Sequence, residues 1–221
     1  MNRTDLVRRI ALAVTFAAAV TRAGAVTVTT AGGNTTITNG VMTLTVNLSA
    51  GTWTGTLGGG YTLNNVGLRV NNTLISGYSA PAEQDLNDSI GTGKQLTFTG
   101  SNGTMTMRVY DNEPFFTVNA QRSGSSGQTM QISGELNTGT PRTDVMVWYQ
   151  DPNYWTAKHR PRVVRLTGTR TSIFNICAQD IGTIANAVYD RPGIIVGSVG
   201  IEARDQQTQV TPTANGMSFQ G

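Results

Sequence analysis

Residues 148–155 (Trp-Tyr-Gln-Asp-Pro-Asn-Tyr-Trp) combine aromatic rings with hydrogen-bonding side chains. Four aromatic residues in eight, interrupted by Asp-Pro, predict a loop that displays rings to solvent. The C–H faces of sugars stack on such rings, while neighbouring amides and carboxylates bond the hydroxyls. The alternative is that the two tryptophans pack into the core or against another domain. The predicted sugar contacts are Trp148, Tyr149, Gln150, Tyr154 and Trp155.

Acidic pairs are the second feature with chemical potential. A retaining glycosidase needs two carboxyl groups about 5 to 5.5 Å apart. Three pairs are close in sequence: Asp85 with Asp88, Asp111 with Glu113, and Glu202 with Asp205. The first pair falls in a polar loop, and the second brackets a turn before Pro114, where acidic residues support turn geometry. We therefore predict no catalytic residue among them.

The chain lacks the residues that other common kinds of functional site require. His159 and Cys177 are the only residues of their types, so the chain holds neither a transition-metal ligand set nor a disulfide. Cys177, in an apolar run, is predicted to be a small buried residue rather than a nucleophile. Loop oxygens at 85–88 suit calcium, but their spacing lacks the full EF-hand pattern. We predict no metal site and no cofactor.

Strands are the elements that must position these residues. Apolar and polar residues alternate along 95–99 and 105–109, with turn residues at 101–103 and 111–114. Residues 51–60 look like a glycine-rich connection, and no helical stripe is evident after residue 26. The predicted fold is all-β, a large antiparallel β-sandwich. Its predicted strands include 26–30, 35–38, 42–48, 128–136, 144–150, 162–167, 171–178, 184–189, 193–204 and 208–211.

The N-terminal 25 residues have the pattern of a secretory signal peptide. Arg3, Arg8 and Arg9 precede an apolar stretch at 10–20, and Ala-Gly-Ala at 23–25 forms a small-residue cleavage site. The alternative is an amphipathic N-terminal helix of the fold. We predict a signal peptide at 1–25, one domain at 26–221, and a secreted or periplasmic location.

The charge balance argues against polyanionic partners. The chain has a net charge of +3, but residues 1–25 hold four arginines and one aspartate, so the remainder is neutral. Basic residues at 158–170 follow the aromatic segment, an arrangement found in single-strand nucleic-acid sites and equally in solvated loops or domain interfaces. We predict no nucleic-acid partner and no membrane partner.

Two motifs carry a resemblance to a known family. D-S-I-G-x-G-K-x-L at 88–96 and Y-D-x-x-P-F at 110–115 resemble the N-terminal β-supersandwich domain of the α-galactosidase and raffinose synthase family. Residues 187–199 are similar to the late strands of that domain, although their connection is shorter than the family's. The resemblance covers about residues 35–215, with gaps, and implies a galactose-mutarotase-like supersandwich.

The resemblance also implies a role. In that family the supersandwich precedes a catalytic (β/α)8 barrel, which is missing here, and the complete enzyme cleaves terminal α-galactosides. The chain is therefore expected to be the non-catalytic N-terminal domain of an exported α-glycosidase, truncated before the barrel. Its expected partners are carbohydrate, the barrel and, through oligomer contacts, a second copy. The alternative is a free-standing exported carbohydrate-binding or surface-interaction module.

Overall fold

The structure, a computed structural model, consists of antiparallel β-strands. It describes residues 24–57, 61–124, 130–137, 144–150, 161–172, 176–183, 186–187, 193–197 and 207–221. Those ranges contain no helix, and hence no apolar helix of membrane-crossing length. The strands are β1 Thr27–Ala31, β2 Asn34–Thr38, β3 Met42–Asn47, β4 Thr52–Leu57, β5 Tyr61–Val70, β6 Thr73–Leu74, β7 Ala82–Asn87, β8 Thr92–Thr99, β9 Gly103–Tyr110, β10 Phe116–Arg122, β11 Met130–Asn137, β12 Asp144–Gln150, β13 Pro161–Arg165, β14 Arg170–Ser172, β15 Ile176–Thr183, β16 Asn186–Ala187, β17 Gly193–Val196, β18 Thr208–Thr213 and β19 Gly216–Gln220.

The strands form three sheets, which we call A, B and C. Sheet A has ten strands in the order β1-β2-β3-β4-β5-β11-β19-β18-β14, with β6 paired to β5. Sheet B has the order β10-β9-β8-β7, and its strands are inserted in the chain between β6 and β11 of sheet A. Sheet C has the order β13-β12-β15-β16, with β17 also paired to β15. The connections within sheet B are simple hairpins, whereas β11, β18 and β19 join sheet A from distant parts of the chain.

All three sheets turn one face to a common hydrophobic core. Alternation along each strand sends every second side chain inward, as the period of two requires. Fully buried examples are Val46 and Leu68 of sheet A, Phe98 and Met105 of sheet B, and Val147 and Ile176 of sheet C. The prediction of an all-β fold with large antiparallel sheets in a sandwich-like arrangement is confirmed.

The prediction for residues 51–60 was wrong, because most of that segment is strand β4. Trp53 is 1% exposed and fills the core, so the segment is fixed by tertiary packing rather than by its glycines. A side chain at Gly55 would begin 2.8 Å from Cδ2 of Leu44, which occupies that space. Glycine in a strand usually weakens it, but here it admits a neighbour's side chain.

Two further strand predictions need correction. Residues 171–178, predicted as one strand, form β14 in sheet A and β15 in sheet C. The polar loop predicted to contain Asp85 and Asp88 is partly strand, because Asp85 belongs to the edge strand β7 and only Asp88 lies beyond its end. Its Glu83 and Asp85 both pair with Lys94 of β8, at 3.3 and 3.1 Å. Charged side chains on an edge strand oppose pairing with another chain, which explains why β7 looks loop-like in composition.

A buried asparagine links sheets A and B. Asn39, between β2 and β3, is 0% exposed. Its amide nitrogen donates to the carbonyl oxygens of Tyr110 (2.8 Å) and Glu113 (2.7 Å), at the turn between β9 and β10. Its Oδ1 accepts from the backbone nitrogens of Met42 (3.0 Å) and Val41 (3.2 Å). One side chain therefore satisfies four backbone groups and fixes two turns against each other.

We expect Asn39→Ala to lower the free energy of unfolding by about 3 kcal/mol, because it leaves buried backbone donors and acceptors without hydrogen-bond partners. Urea denaturation followed by circular dichroism measures this. Asn34→Ala is the matched control: its amide makes one bond, to Gly32 at 3.3 Å near the surface, so a loss below about 0.5 kcal/mol is expected. Equal losses in the two variants would contradict the cross-linking role.

Candidate functional site

A row of apolar side chains crosses the outward face of sheet C. On β12, Val145 and Val147 point into the core, so Trp148 points away from it. Trp148 lies opposite Val163 of β13 and Cys177 of β15. Cys177 in turn lies opposite Ile195 of β17. We call these four residues, Val163, Trp148, Cys177 and Ile195, the Trp148 row.

The row is accessible to solvent at both ends. Ile195 is 72% exposed and Val163 is 49% exposed, while Trp148 and Cys177 are half-buried between them. The row crosses four neighbouring strands, a span of roughly 14 Å. An aromatic and aliphatic surface of this kind suits the C–H face of a sugar ring or the apolar surface of another protein.

The structure places one other predicted sugar contact, Tyr149, on the opposite face from Trp148. Tyr149 lies on the opposite side of β12, where it packs against the core. Gln150 ends β12 with its backbone opposite Pro161, and its side chain is outside the described part of the chain, as are Tyr154 and Trp155. Of the two predicted contacts whose side chains the structure describes, Trp148 is therefore the one on the outward face.

Cys177 differs from its prediction as a buried residue. Ile176 and Ala178 occupy the core side of β15, so alternation turns Cys177 outward, where it is half-buried. This partial burial raises the pKa of the Cys177 thiol. The thiol is therefore protonated at neutral pH and is not an activated nucleophile.

A polar trough lies on sheet A and was not foreseen from the sequence. It has a volume of about 330 Å³ and crosses strands β5, β11, β19 and β18. Two cross-strand rows line it: Ser133, Gln220 and Gln209, then Glu135, Ser218 and Thr211. Hydroxyl, amide and carboxylate groups at strand spacing can donate to and accept from a ligand rich in hydroxyls.

The trough could not be found by local reading, because its strands come from three separate segments. The available signal was the alternation of polar residues along 131–135, 209–211 and 218–220. At one end, Nη1 of Arg69 donates to Oγ of Ser133 at 3.1 Å, which holds the guanidinium against the trough wall.

The two family-like motifs meet at one end of sheet B. The hydroxyl of Tyr110 donates to Oδ2 of Asp88 at 3.0 Å, and Oδ1 of Asp88 accepts from the backbone nitrogen of Ile90 at 2.9 Å. The hydrogen bond from Ile90 is the main cause that lowers the pKa of Asp88, and the Tyr110 hydroxyl adds to it. Oδ2 of Asp111 accepts from the hydroxyl of Thr92 at 2.6 Å. These carboxylates hold turns together.

The remaining candidate residues do not form a site in the described regions. Asp85 is paired with Lys94 at the exposed edge of sheet B. His159, Glu202 and Asp205 lie outside the described residues. Within the part of the chain that the structure describes, no three histidine, cysteine or acidic residues are placed to hold a metal ion.

No protein family model, curated protein or solved structure matches this chain significantly. The class of protein is therefore defined by its own geometry. It is an all-β antiparallel domain with an apolar row on the outward face of sheet C and a polar trough on sheet A.

We expect Asp88→Asn to destabilise the protein at pH 6. The charged carboxylate accepts hydrogen bonds from Ile90 and Tyr110, and a neutral amide would form weaker ones. A lowered folded-state pKa stabilises the fold above the unfolded value of about 3.9, and this contribution is lost as the pH falls below it. The melting temperatures of the two proteins should therefore converge toward pH 2.5. Asp85→Asn, which removes an exposed ion pair with Lys94, should have a smaller effect at pH 6. A constant difference at every pH would contradict this assignment.

We expect Trp148→Ala to accelerate maleimide labelling of Cys177 several-fold at pH 7.5, because Trp148 lies directly opposite Cys177 on the same face and removing its indole opens access to the thiol. Labelling of the wild-type protein should be slower than that of a free thiol, since the raised pKa reduces the thiolate fraction. Val163→Ala, on the far side of Trp148, should leave the rate unchanged. Intact mass against time measures all three, and equal rates for Trp148→Ala and wild type would contradict the row.

Proposed function

We propose that this chain is a non-catalytic, carbohydrate-associated domain of an exported α-glycosidase of the α-galactosidase type. The observation that carries the proposal is the outward placement of Trp148, which is held between two strands and lies outside the core cluster. The type of enzyme rests on the resemblance of residues 88–96 and 110–115.

A tryptophan on a sheet suits sugar binding for an energetic reason. The backbone on both sides of Trp148 is fixed by pairing, so little conformational entropy is lost when a ligand stacks on the indole. The half-buried ring retains accessible apolar surface that a sugar can cover. Val163 and Cys177, on either side of Trp148, extend this surface.

The non-catalytic part of the proposal is supported by how the acidic residues are used. Asp88 accepts a hydrogen bond within its turn, Asp111 accepts from Thr92 and from the backbone nitrogen of Val26, and Asp85 is paired with Lys94. General acid and nucleophile roles require two carboxyl groups that face a common substrate position. Turn acceptors of this kind serve folding instead.

A second candidate function is favoured by the ends of the Trp148 row. Ile195 and Val163 extend the apolar surface beyond one aromatic ring. Exposed apolar surface of this extent is typical of protein contacts as well as of ligand surfaces. The partner would be the catalytic barrel domain, whose packing would cover the row. This corresponds to the alternative in which the tryptophan packs against another domain.

The test is sugar binding by the full chain and its variants. We expect Trp148→Ala to weaken binding to an α-galactoside-bearing oligosaccharide by about ten-fold or more, because a central aromatic anchor is lost. Tyr149→Phe, which keeps an aromatic ring on the core side, should bind like wild type. Isothermal titration calorimetry measures the affinities.

Each other outcome has a definite meaning. Loss of binding in Gln209→Ala but not in Trp148→Ala would move the sugar site to the polar trough. Sugar binding by neither surface, with Ile195→Ser abolishing association with a separately produced barrel domain, would favour the docking role. Hydrolysis of an aryl α-galactoside by the purified chain would contradict the non-catalytic role.

A further inference from the structure

The backbone nitrogen of Val26 faces a carboxylate. It lies 2.8 Å from Oδ1 of Asp111, a residue 85 positions away in the turn between β9 and β10. Val26 is only 5% exposed, and the second oxygen of Asp111 accepts from the hydroxyl of Thr92 at 2.6 Å. The carboxylate is therefore oriented by two partners: Val26, which precedes β1, and Thr92, the first residue of β8.

This nitrogen is also the one that the predicted cleavage would release. Residues 23–25 are Ala-Gly-Ala, so the predicted cut lies between Ala25 and Val26. We propose that removal of residues 1–25 creates an α-ammonium group at Val26 that forms a buried ion pair with Asp111. The leader's removal would then strengthen the contact between sheets A and B. This inference rests on the proposed export of the chain.

The covalent step is an ordinary peptide hydrolysis by an endopeptidase of the export machinery. Water adds across the Ala25–Val26 bond: the carbonyl carbon of Ala25 gains the hydroxyl, and the nitrogen of Val26 gains the proton. At neutral pH the products are a carboxylate on Ala25 and an ammonium on Val26. Because Val26 is buried in the folded domain, the cut precedes the folding of this region.

Removing Gly24 leaves no unpaired donor on the partner turn. The backbone nitrogen of Asn112 is shared between the carbonyl oxygens of Gly24 and Asn39, both at 3.3 Å. After the cut, Asn39 still accepts from it. The amide bond at Val26 is replaced by a charged donor facing a charged acceptor, which gives a stronger hydrogen bond than the amide does.

The first experiment expresses residues 1–221 in an exporting host and identifies the product by intact mass and N-terminal sequencing. The expected product begins at Val26. A product that begins at another residue would overturn the ion pair while leaving export intact. Retention of the whole chain inside the cell would instead contradict the proposed export, so the two failures are distinguishable.

The second experiment measures the stability of the exported product against pH. An α-ammonium has a pKa of about 8 in the unfolded chain, and Asp111 would raise it in the folded protein. Its contribution is then present below pH 8 and lost as the pH rises through the folded value. Asp111→Asn should lower the folding equilibrium constant about ten-fold at pH 7, and this difference should shrink between pH 8 and 10.

Controls separate the ammonium from other titrating groups. The titratable groups nearest Asp111 along the chain are Glu113 in the same turn and Tyr110 at the end of β9, whose hydroxyl donates to Asp88; β9 and β8 also carry Arg108 and Lys94. Glu113→Gln, in the same turn, should show no such pH-dependent difference from wild type. A difference between wild type and Asp111→Asn that is equal at pH 7 and pH 10 would overturn the proposal.

A measurement on the wild-type protein keeps the test valid if Asp111→Asn does not fold. Acylation of the α-amine should be slower in the native product than in its urea-unfolded form, because Val26 is buried and paired. Equal rates in the two states, read by peptide mass, would overturn the ion pair.

Discussion

The whole structure depends on one constraint: three sheets must each give one face to the same core. Alternation along the strands makes this possible, since every second residue is committed to packing. Val147 and Ile176 are buried for that reason, and their neighbours Trp148 and Cys177 are released to the outward face. Both candidate surfaces follow from this division, because only the outward-facing residues are not required for packing the core.

Much of the fold was accessible from the sequence because local physics determines it. The bounds of β12 at 144–150 and the turns at 101–103 and 111–114 follow from alternation and turn residues. The sheet to which each strand belongs could not be predicted in this way, because the period of two is the same in every sheet. Residues 171–178 contain neither glycine nor proline to mark a break, yet they divide between sheets A and C, and β11 pairs with β5 and β19 through long-range register.

The candidate site was predictable only in part. Aromatic composition identified Trp148, but it could not separate Trp148 from Tyr149, since both suit either face of a strand. The partners Val163 and Ile195 are supplied by register across β13 and β17, which no local pattern encodes. Asp88, predicted in a polar loop, accepts from the backbone nitrogens of its own turn, as Asp commonly does, whereas the carboxylate of Asp111 bonds Val26 and Thr92 from outside its turn, which no local pattern encodes.

The insertion of sheet B between β6 and β11 has a consequence for the order of folding. Residues 71–129 must be looped out before β5 can meet its second neighbour, and closing such a loop costs entropy before any contact repays it. The hairpins of sheet B need only short loops and can form at once. We therefore expect the consecutive hairpins of sheet B and of β1–β5 to form before β11, β19 and β18 join sheet A, and a chain without those three strands to expose the unpaired edge of β5.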